Sequence, residues 1–376
     1  MQEAGSALVV AASASALSRS LKRAGWTPFA IDGFGDLDTR EYCRECQIVP
    51  LGKSGFDASA LRSAIDGMKP TDVALYGGGL DSLPGVIEHL ARGRLLVGNT
   101  AETVRLAKTP AMFFALLANL GIPFPETRFD PPCNVCGWLV KHGGSEGGVA
   151  VNFASNTDIS KPYRYFQRQL ETLPMSALFL ADGTESRIIG FNTLWTTAAD
   201  PLLPFRFAGA INRTSLSEPQ RETLRGIVAQ LVSALRLRGL NSLDFMTDET
   251  GGIRVLELNP RPSATLSLYD DELPSGLAGL HIRACLGTLP DFTLAAFPAR
   301  AIQIVYAPHD VEMPGTLEWP AWCQNRPGPG CRIAKGAPLC TITADGTDES
   351  EVLSNLAARH TALIQTMIAA DRMADT

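Results

Sequence analysis

No segment of the sequence approaches the ~18 uncharged apolar residues that a membrane span requires. The nearest, the small-residue stretch from Ala7 to Leu17, has no basic region before it and is interrupted by Ser13 and Ser15. It reads as a strand entering a helix, not as a secretion signal. Basic residues are in deficit: 33 Lys and Arg against 39 Asp and Glu, a formal net charge of −6, which removes the surplus a nucleic-acid binder needs. Cysteine is scarce, eight in 376 residues, too thin for a disulfide scaffold. Two pairs, Cys43/Cys46 and Cys133/Cys136, have CxxC spacing, but they lie much further apart than the pairs of a zinc ribbon, so a four-thiolate zinc site and ordinary buried or surface thiols both stay open. Histidine is rarer still, five in all, with no pair at metal-ligand spacing on a helix. These shortages leave a cytoplasmic protein with small-molecule partners, no nucleic acid and no membrane; homodimerisation is left open.

The hydrophobic fraction of 45% over this length can bury a sizeable core in two or three domains. Over the first ~100 residues, β-like runs at Ala7–Ala12, Pro28–Ile31, Asp72–Tyr76 and Leu95–Val97 alternate with helical spacing at Ser13–Ala24, Ala60–Gly67 and Pro84–Arg92. That alternation predicts a doubly wound α/β unit over residues 1–102. Gly77, Gly78 and Gly79 follow a strand and fit either a phosphate cradle or a plain tight turn.

A second unit is expected over residues 103–284. Apolar residues recur at helical spacing from Thr103 to Leu120, and Gly121, Pro123 and Pro125 stop the helix. Strands are expected at Trp138–Lys141 and Val149–Phe153, then a hairpin of Tyr165–Gln169 with Ala177–Ala181. A long amphipathic helix over Pro219–Arg238 follows, then strands at Ser242–Met246 and Ile253–Asn259. After Ala284 the composition shifts to proline, glycine and short strands, predicting a small β-rich lid with a terminal helix over residues 285–376.

Chemistry concentrates in two places. Along Ile253–Asn259 side chains alternate faces, so Glu257 and Asn259 share one face while Leu256 and Leu258 point into packing. A turn centred near Thr250 and Gly251 sets Asp244 opposite Glu257. Two carboxylates and an amide so close call for a cation, and hard Mg²⁺ supplemented by substrate phosphates suits them; a solvated sheet face with incidental acids is the alternative. Upstream, Lys141 ends a strand and runs into His142, Gly143, Gly144, Ser145, Glu146, Gly147 and Gly148, whose glycines let backbone N–H groups approach phosphate oxygens. A flexible hairpin turn is the plainer reading. The run from Gly143 to Gly147 also fits the GxSxG nucleophile elbow with Ser145 as nucleophile, although a strand, not the required helix, is expected after it.

At this point the sequence resembles the ATP-grasp superfamily, and within it the carboligase branch that looks like biotin carboxylase. The resemblance spans nearly the whole chain. In order it comprises an α/β domain, Ala107 and Lys108 before a helix ending in Leu120, Gly121, Ile122 and Pro123, Lys141 with its glycine loop, and the run from Phe166 to Glu171. Ala181 to Gly183, Leu243 to Phe245, the run from Leu256 to Arg261 and the run from Lys335 to Leu339 complete it. The resemblance implies an ATP-grasp fold with a preceding doubly wound domain and a C-terminal β-rich segment. It implies that Lys108 and Lys141 bind ATP phosphates under the loop of Gly143, Gly144, Ser145, Gly147 and Gly148. Gln167, Arg168, Gln169 and Leu170 would form the adenine edge, and Asp244, Glu257 and Asn259 would hold Mg²⁺. Arg261 would meet the transferring phosphoryl group or the activated carboxylate; Arg213 is a weaker candidate for a similar role and otherwise a surface cation. Two positions depart from the pattern: Glu146 places an acid in the phosphate loop, and Gln167 stands where many relatives carry an acid.

The activity implied is ATP-dependent joining of a carboxylate to an amine through an acyl phosphate. Resemblance to the tyramine–glutamate ligases of methanofuran-type cofactor synthesis suggests glutamate and tyrosine or tyramine as substrates. Alternatives are a biotin-dependent or other ATP-dependent carboxylase, for which no biotinyl-lysine segment is recognisable, and a protein that binds ATP without turning it over.

Overall fold

The computed structural model describes residues 4–52, 55–155, 164–197, 200–292, 298–315 and 317–374. The N-terminal unit comprises β1 (Gly5–Ala11), α1 (Ser15–Arg23), β2 (Trp26–Asp32), α2 (Leu37–Tyr42), β3 (Glu45–Ile48), α3 (Ala58–Gly67), β4 (Val73–Tyr76), α4 (Pro84–Leu90) and β5 (Leu95–Leu96). The strands pair in parallel in the order β3-β2-β1-β4-β5. Parallel strands covered on both faces need uninterrupted apolar sequence, and Ala7 through Ala11 are all fully buried. The short α2 and β3, absent from the sequence reading, carry little apolar periodicity; α2 starts because the Asp36 side chain accepts the Thr39 N–H at 2.7 Å. In this order the direction of strand addition switches between β1 and β4, and Gly77–Gly79 sits at the carboxyl end of β4 beside that crevice.

The single helix expected from Thr103 to Leu120 is two: α5 (Ala101–Lys108) and α6 (Pro110–Asn119). The reason is local. Pro110 disfavours helical geometry in the residue before it, and Thr109 is extended at φ −93° and ψ 107°. Lys108 thereby becomes the last residue of a helix instead of an interior one.

Beyond α6, β6 (Thr127–Arg128), β7 (Trp138–His142), β8 (Val151–Phe153) and β9 (Arg164–Arg168) form a four-stranded sheet in the order β6-β9-β7-β8. A larger sheet begins with β10 (Met175–Asp182), β11 (Ser186–Thr196) and β12 (Phe207–Ile211). The expected hairpin between Tyr165–Gln169 and Ala177–Ala181 does not form: β9 pairs with β6 and β7, and β10 with β11 and the later β13 (Arg238–Thr247). Helix α7 (Glu218–Leu235) opens with a capping box in which Ser217 and Gln220 satisfy each other's backbone N–H. It buries Leu224, Ile227, Val228, Leu231, Val232 and Leu235, one face at helical spacing, each contributing roughly 1.5–3 kcal/mol of apolar burial.

After β13 and β14 (Ile253–Asn259), helix α8 (Gly276–Cys285) is buried at every position but Arg283. It packs between the two large sheets: one core cluster contains Val9 and Leu75 of the parallel sheet, Leu277 and Ala278 of α8, and Leu178 and Leu240 of the larger sheet. The C-terminal segment contributes β15 (Ala299–Tyr306), β16 (Val311–Glu312), β17 (Cys323–Gln324), β18 (Arg332–Ile333), β19 (Pro338–Gly346) and α9 (Glu349–Ala374). It is β-rich with a terminal helix, yet it does not stand apart as a lid. Pairing of β15 with β12, Ala210 opposite Ile302, continues one eight-stranded sheet in the order β14-β13-β10-β11-β12-β15-β19-β17. Among the described residues no helix is long and apolar enough to cross a membrane.

Candidate active site

Strands β13 and β14 pair with Asp244 opposite Glu257 and Ser242 opposite Asn259, the juxtaposition that the turn symmetry predicts. It arises by a different route. The register changes between Asp244 and Phe245, which face Glu257 and Val255, so Leu256 is an extra residue in a β-bulge. Val255 and Leu258 therefore both enter the core, while Leu256, expected in packing, is only half-buried. The bulge re-aims Glu257 and Asn259 onto one side. There Asn259 donates its amide to Asp244 Oδ2 at 3.0 Å. Burial, then the charge of Glu257, pushes the Asp244 carboxyl up to about 7.

The Lys108 ammonium sits among acids. It donates to Glu257 Oε1 at 2.5 Å and to Asn259 Oδ1 at 2.6 Å, and lies 2.9 Å from Asp81 Oδ2. Burial disfavours the ammonium, but Asp81 and Glu257 outweigh that and hold its pKa above the ordinary lysine value. Asp81 follows the Gly77–Gly79 loop, and Arg261 grips it with Nε at 3.0 Å and Nη2 at 3.1 Å. Burial alone would raise Asp81, yet the charges of Arg261 and Lys108 hold it down at about 2. This carboxylate was not singled out from the sequence. Its signal is an acid two residues past a glycine loop at the end of a parallel strand, readable once the strand order is known.

Facing this cluster from the four-stranded sheet is Lys141. Its ammonium donates to Gln167 Oε1 at 2.6 Å, and Gln167 donates in turn to Thr127 Oγ1 at 3.1 Å. Burial pulls Lys141 down to about 8, against the opposing charges of Glu257 and Asp244. Gln167, expected at the adenine edge, thus uses its side chain to orient Lys141. Arg168 turns outward, donating to the Cys136 carbonyl at 3.2 Å and stacking over Trp138. The Gln169 N–H is taken by the Gly137 carbonyl at 3.0 Å, and Leu170 continues the segment half-buried.

The glycine loop connects β7 to β8. Gly143 lies against the Pro110 ring, where a Cβ would approach to 2.8 Å; Gly144 packs on Ser82; Gly148, at φ +71°, lies against the Phe205 carbonyl. The Ser145 hydroxyl donates to the His142 carbonyl at 2.9 Å, and a turn and strand, not a helix, follow it, so the elbow geometry is absent. Glu146 folds inward onto Arg261 and the Gly79 and Asp81 N–H groups. Arg213 lies apart: it follows β12, which β11, β10 and β13 separate from β14, and it donates to the Asn212 carbonyl at 2.9 Å. The cysteine pairs do not converge: all eight cysteines are free, and no group of three or more His, Cys, Asp or Glu suited to a metal occurs among the described residues. That removes the four-thiolate site. The donor set of Asp244, Glu257 and Asn259 fits Mg²⁺, since its atoms are hard oxygens and two of them, Glu257 Oε1 and Asn259 Oδ1, already accept from an ammonium.

Residues 111–265 match the family profile of the ATP-grasp domain. The fold is similar to that of N5-carboxyaminoimidazole ribonucleotide synthetase from Thermotoga maritima, with a TM-score of 0.71 at 15% identity over 95% of this chain and 98% of that one. It is similar to the Staphylococcus aureus N5-carboxyaminoimidazole synthetase complexed with ADP, with a TM-score of 0.70 at 12% identity over 96% and 98% of the two chains. Biotin carboxylase from Campylobacter jejuni, solved with a β,γ-ATP ligand, gives a TM-score of 0.69 at 12% identity, covering 93% of this chain and 89% of that one. Comparison with curated proteins finds no match.

Proposed function

Because this chain carries an ATP-grasp domain, we propose that it is a cytoplasmic, ADP-forming ligase that joins a small-molecule carboxylate to an amine. The observation that carries the reading is the pairing of Asp244 with Glu257, with Asn259 beside them and Lys141 facing them from the second sheet. The nucleotide lies between the two sheets. Lys141, Lys108 and the loop of Gly143, Gly144, Ser145, Gly147 and Gly148 hold its phosphates, and backbone groups from Gln167 to Leu170 border the adenine. Asp244, Glu257 and Asn259 hold Mg²⁺, which when bound spreads the phosphate charge.

Phosphoryl transfer leaves the protein mainly positioning and charge neutralisation to do. An oxygen of the substrate carboxylate attacks the γ-phosphorus, and the bond to the β–γ bridging oxygen breaks to release ADP. Arg261, held rigid by Asp81, stabilises the acyl phosphate. The amine nitrogen then attacks the acyl carbon, phosphate leaves with the C–O bond electrons, and the amine proton passes to solvent. Closure of the glycine loop excludes water, which would otherwise hydrolyse the intermediate. The free state of all eight cysteines suits a reducing compartment. Glutamate with tyrosine or tyramine is the substrate pair put forward.

The test is release of ADP and phosphate from Mg·ATP against carboxylate–amine pairs, glutamate with tyramine or tyrosine among them, and against bicarbonate. Amide formation by one pair, abolished in Glu257→Ala, supports the ligase. Turnover with bicarbonate alone makes the protein a carboxylase, and binding without turnover under every condition defeats the enzymatic reading.

A further inference from the structure

The acid in the glycine loop occupies a purpose-shaped anion cradle. Glu146 Oε1 accepts the N–H of Gly79 at 2.8 Å and of Asp81 at 3.2 Å, while Oε2 accepts from Gly79 at 2.9 Å and from Arg261 Nη2 at 2.8 Å. The donors are fixed independently of their guest. Arg261 is clamped by both oxygens of Asp81, and Gly79 holds a φ of +101°, with the Phe56 ring 2.8 Å from where a Cβ would stand. At Gly78 a Cβ would lie 3.0 Å from Glu146 Oε2, so glycine there keeps the cradle open to a planar carboxylate. The guest comes from elsewhere. Glu146 belongs to the turn between β7 and β8 of the four-stranded sheet, whereas the donors follow β4 of the parallel sheet and β14 of the eight-stranded sheet.

Resting on the ligase reading, we infer that the Gly79, Asp81 and Arg261 cradle is the subsite of the substrate carboxylate, and that Glu146 fills it as an internal substitute that the substrate displaces. Charge favours a monoanion. The buried Asp81 carboxylate and the partly exposed Glu257 carboxylate already pair with Arg261 and Lys108, so the surroundings offer no surplus positive charge for a phosphate dianion. Position agrees as well: Arg261 is two residues past Asn259, so a carboxylate held here lies beside the groups assigned to the metal and γ-phosphate. Glu146 keeps water and stray anions from the subsite until a competing carboxylate arrives.

Acetate and inorganic phosphate serve as probes, titrated calorimetrically into the full chain, its Glu146→Ala and Glu146→Gln variants, and the double variant Glu146→Ala/Arg261→Met. Acetate should bind Glu146→Ala at least tenfold more tightly than wild type, bind Glu146→Gln to a lesser extent, and lose the gain in the double variant. No gain for acetate in either single variant overturns the inference, as does a gain for phosphate without one for acetate. Glu146→Gln preserves the side-chain volume and carries the test should Glu146→Ala fail to fold. Mg·ATP is titrated separately into wild type: its failure to bind counts against the ligase reading, while the acetate result still decides the cradle.

Discussion

The Lys108 ammonium and the Asp81 carboxylate lie 2.9 Å apart with both side chains out of solvent, joining the end of α5 to the loop that follows β4. Asp81 also holds Arg261, so one carboxylate pairs with two cations arriving from separate parts of the chain. A buried ion pair adds little net stability over apolar packing, because both charges must be desolvated. Its value here is positional: Lys108 is held onto Glu257 and Asn259 while Arg261 is held onto Glu146.

Asp81→Asn keeps the shape and removes the charge, leaving two buried cations with Glu146 and Glu257 as their remaining acids. The expected loss is about 3–5 kcal/mol, the usual cost of breaking such a pair from one side. Urea unfolding at neutral pH reads it as a lowered midpoint with unchanged slope. An unmoved midpoint would mean that solvent, not Asp81, satisfies the two cations.

Gly148 and its neighbour Gly147 separate strain from collision. Both have positive φ, +64° at Gly147 and +71° at Gly148, but a Cβ at Gly147 meets nothing within 4 Å, whereas at Gly148 it would stand 2.0 Å from the Phe205 carbonyl. Gly147→Ala should cost only the left-handed strain, about 1 kcal/mol. Gly148→Ala must push the loop off the Phe205 segment and should weaken Mg·ATP binding at least tenfold. Because the loop is a local unit, its thermal midpoint should stay close to that of Gly147→Ala. Fluorescent-nucleotide titration of the two variants checks this, and equal affinities would show that the loop does not cover the nucleotide.

Much of the acid face was legible because its signals are local. Ile253–Asn259 is bounded by its own alternation, and its proximity to Asp244 follows from one short turn. The bulge at Leu256 was not legible, since two leucines flanking Glu257 suit either register. The break between α5 and α6 was written in Pro110, but apolar periodicity across Thr103–Leu120 obscured it. The partnership of Arg261 with Asp81 and Glu146 spans 180 and 115 residues of chain, and no periodicity encodes contacts that only the stacking of sheets creates. The hairpin proposed between Tyr165–Gln169 and Ala177–Ala181 failed for the same reason: each run is strand-like, but partner choice is tertiary.

Acid should destabilise the protein through His281. This side chain is 1% exposed in α8. Its Nδ1 accepts the Leu240 N–H at 2.8 Å, so the proton resides on Nε2, which donates to the Val97 carbonyl at 3.0 Å. The ring thereby links α8 to β13 and to the residue following β5; Gly239 is packed against it, and the neutral Cys285 thiol lies 3.7 Å away. Burial holds the folded pKa down to about 4 against an ordinary 6.5, the Val97 carbonyl opposing only in part. A depressed histidine stabilises the fold fully above its unfolded pKa, and this contribution is lost as pH falls from 6.5 toward 4, where only the unfolded chain takes up the proton. The loss amounts to ~3 kcal/mol. Asp81, held near 2, keeps its charge throughout that window, so the Lys108 and Arg261 pairs do not account for the slope. The Asp244 carboxyl, held up at about 7, works in the opposite direction over the same window, but equally in wild type and in a His281 variant, so the His281 contribution is read as their difference. His281→Gln, which cannot titrate, should have a lower urea midpoint than wild type at pH 7.5, and the gap should narrow at pH 6 and again at pH 5; a gap that stays constant would assign the acid sensitivity to other groups.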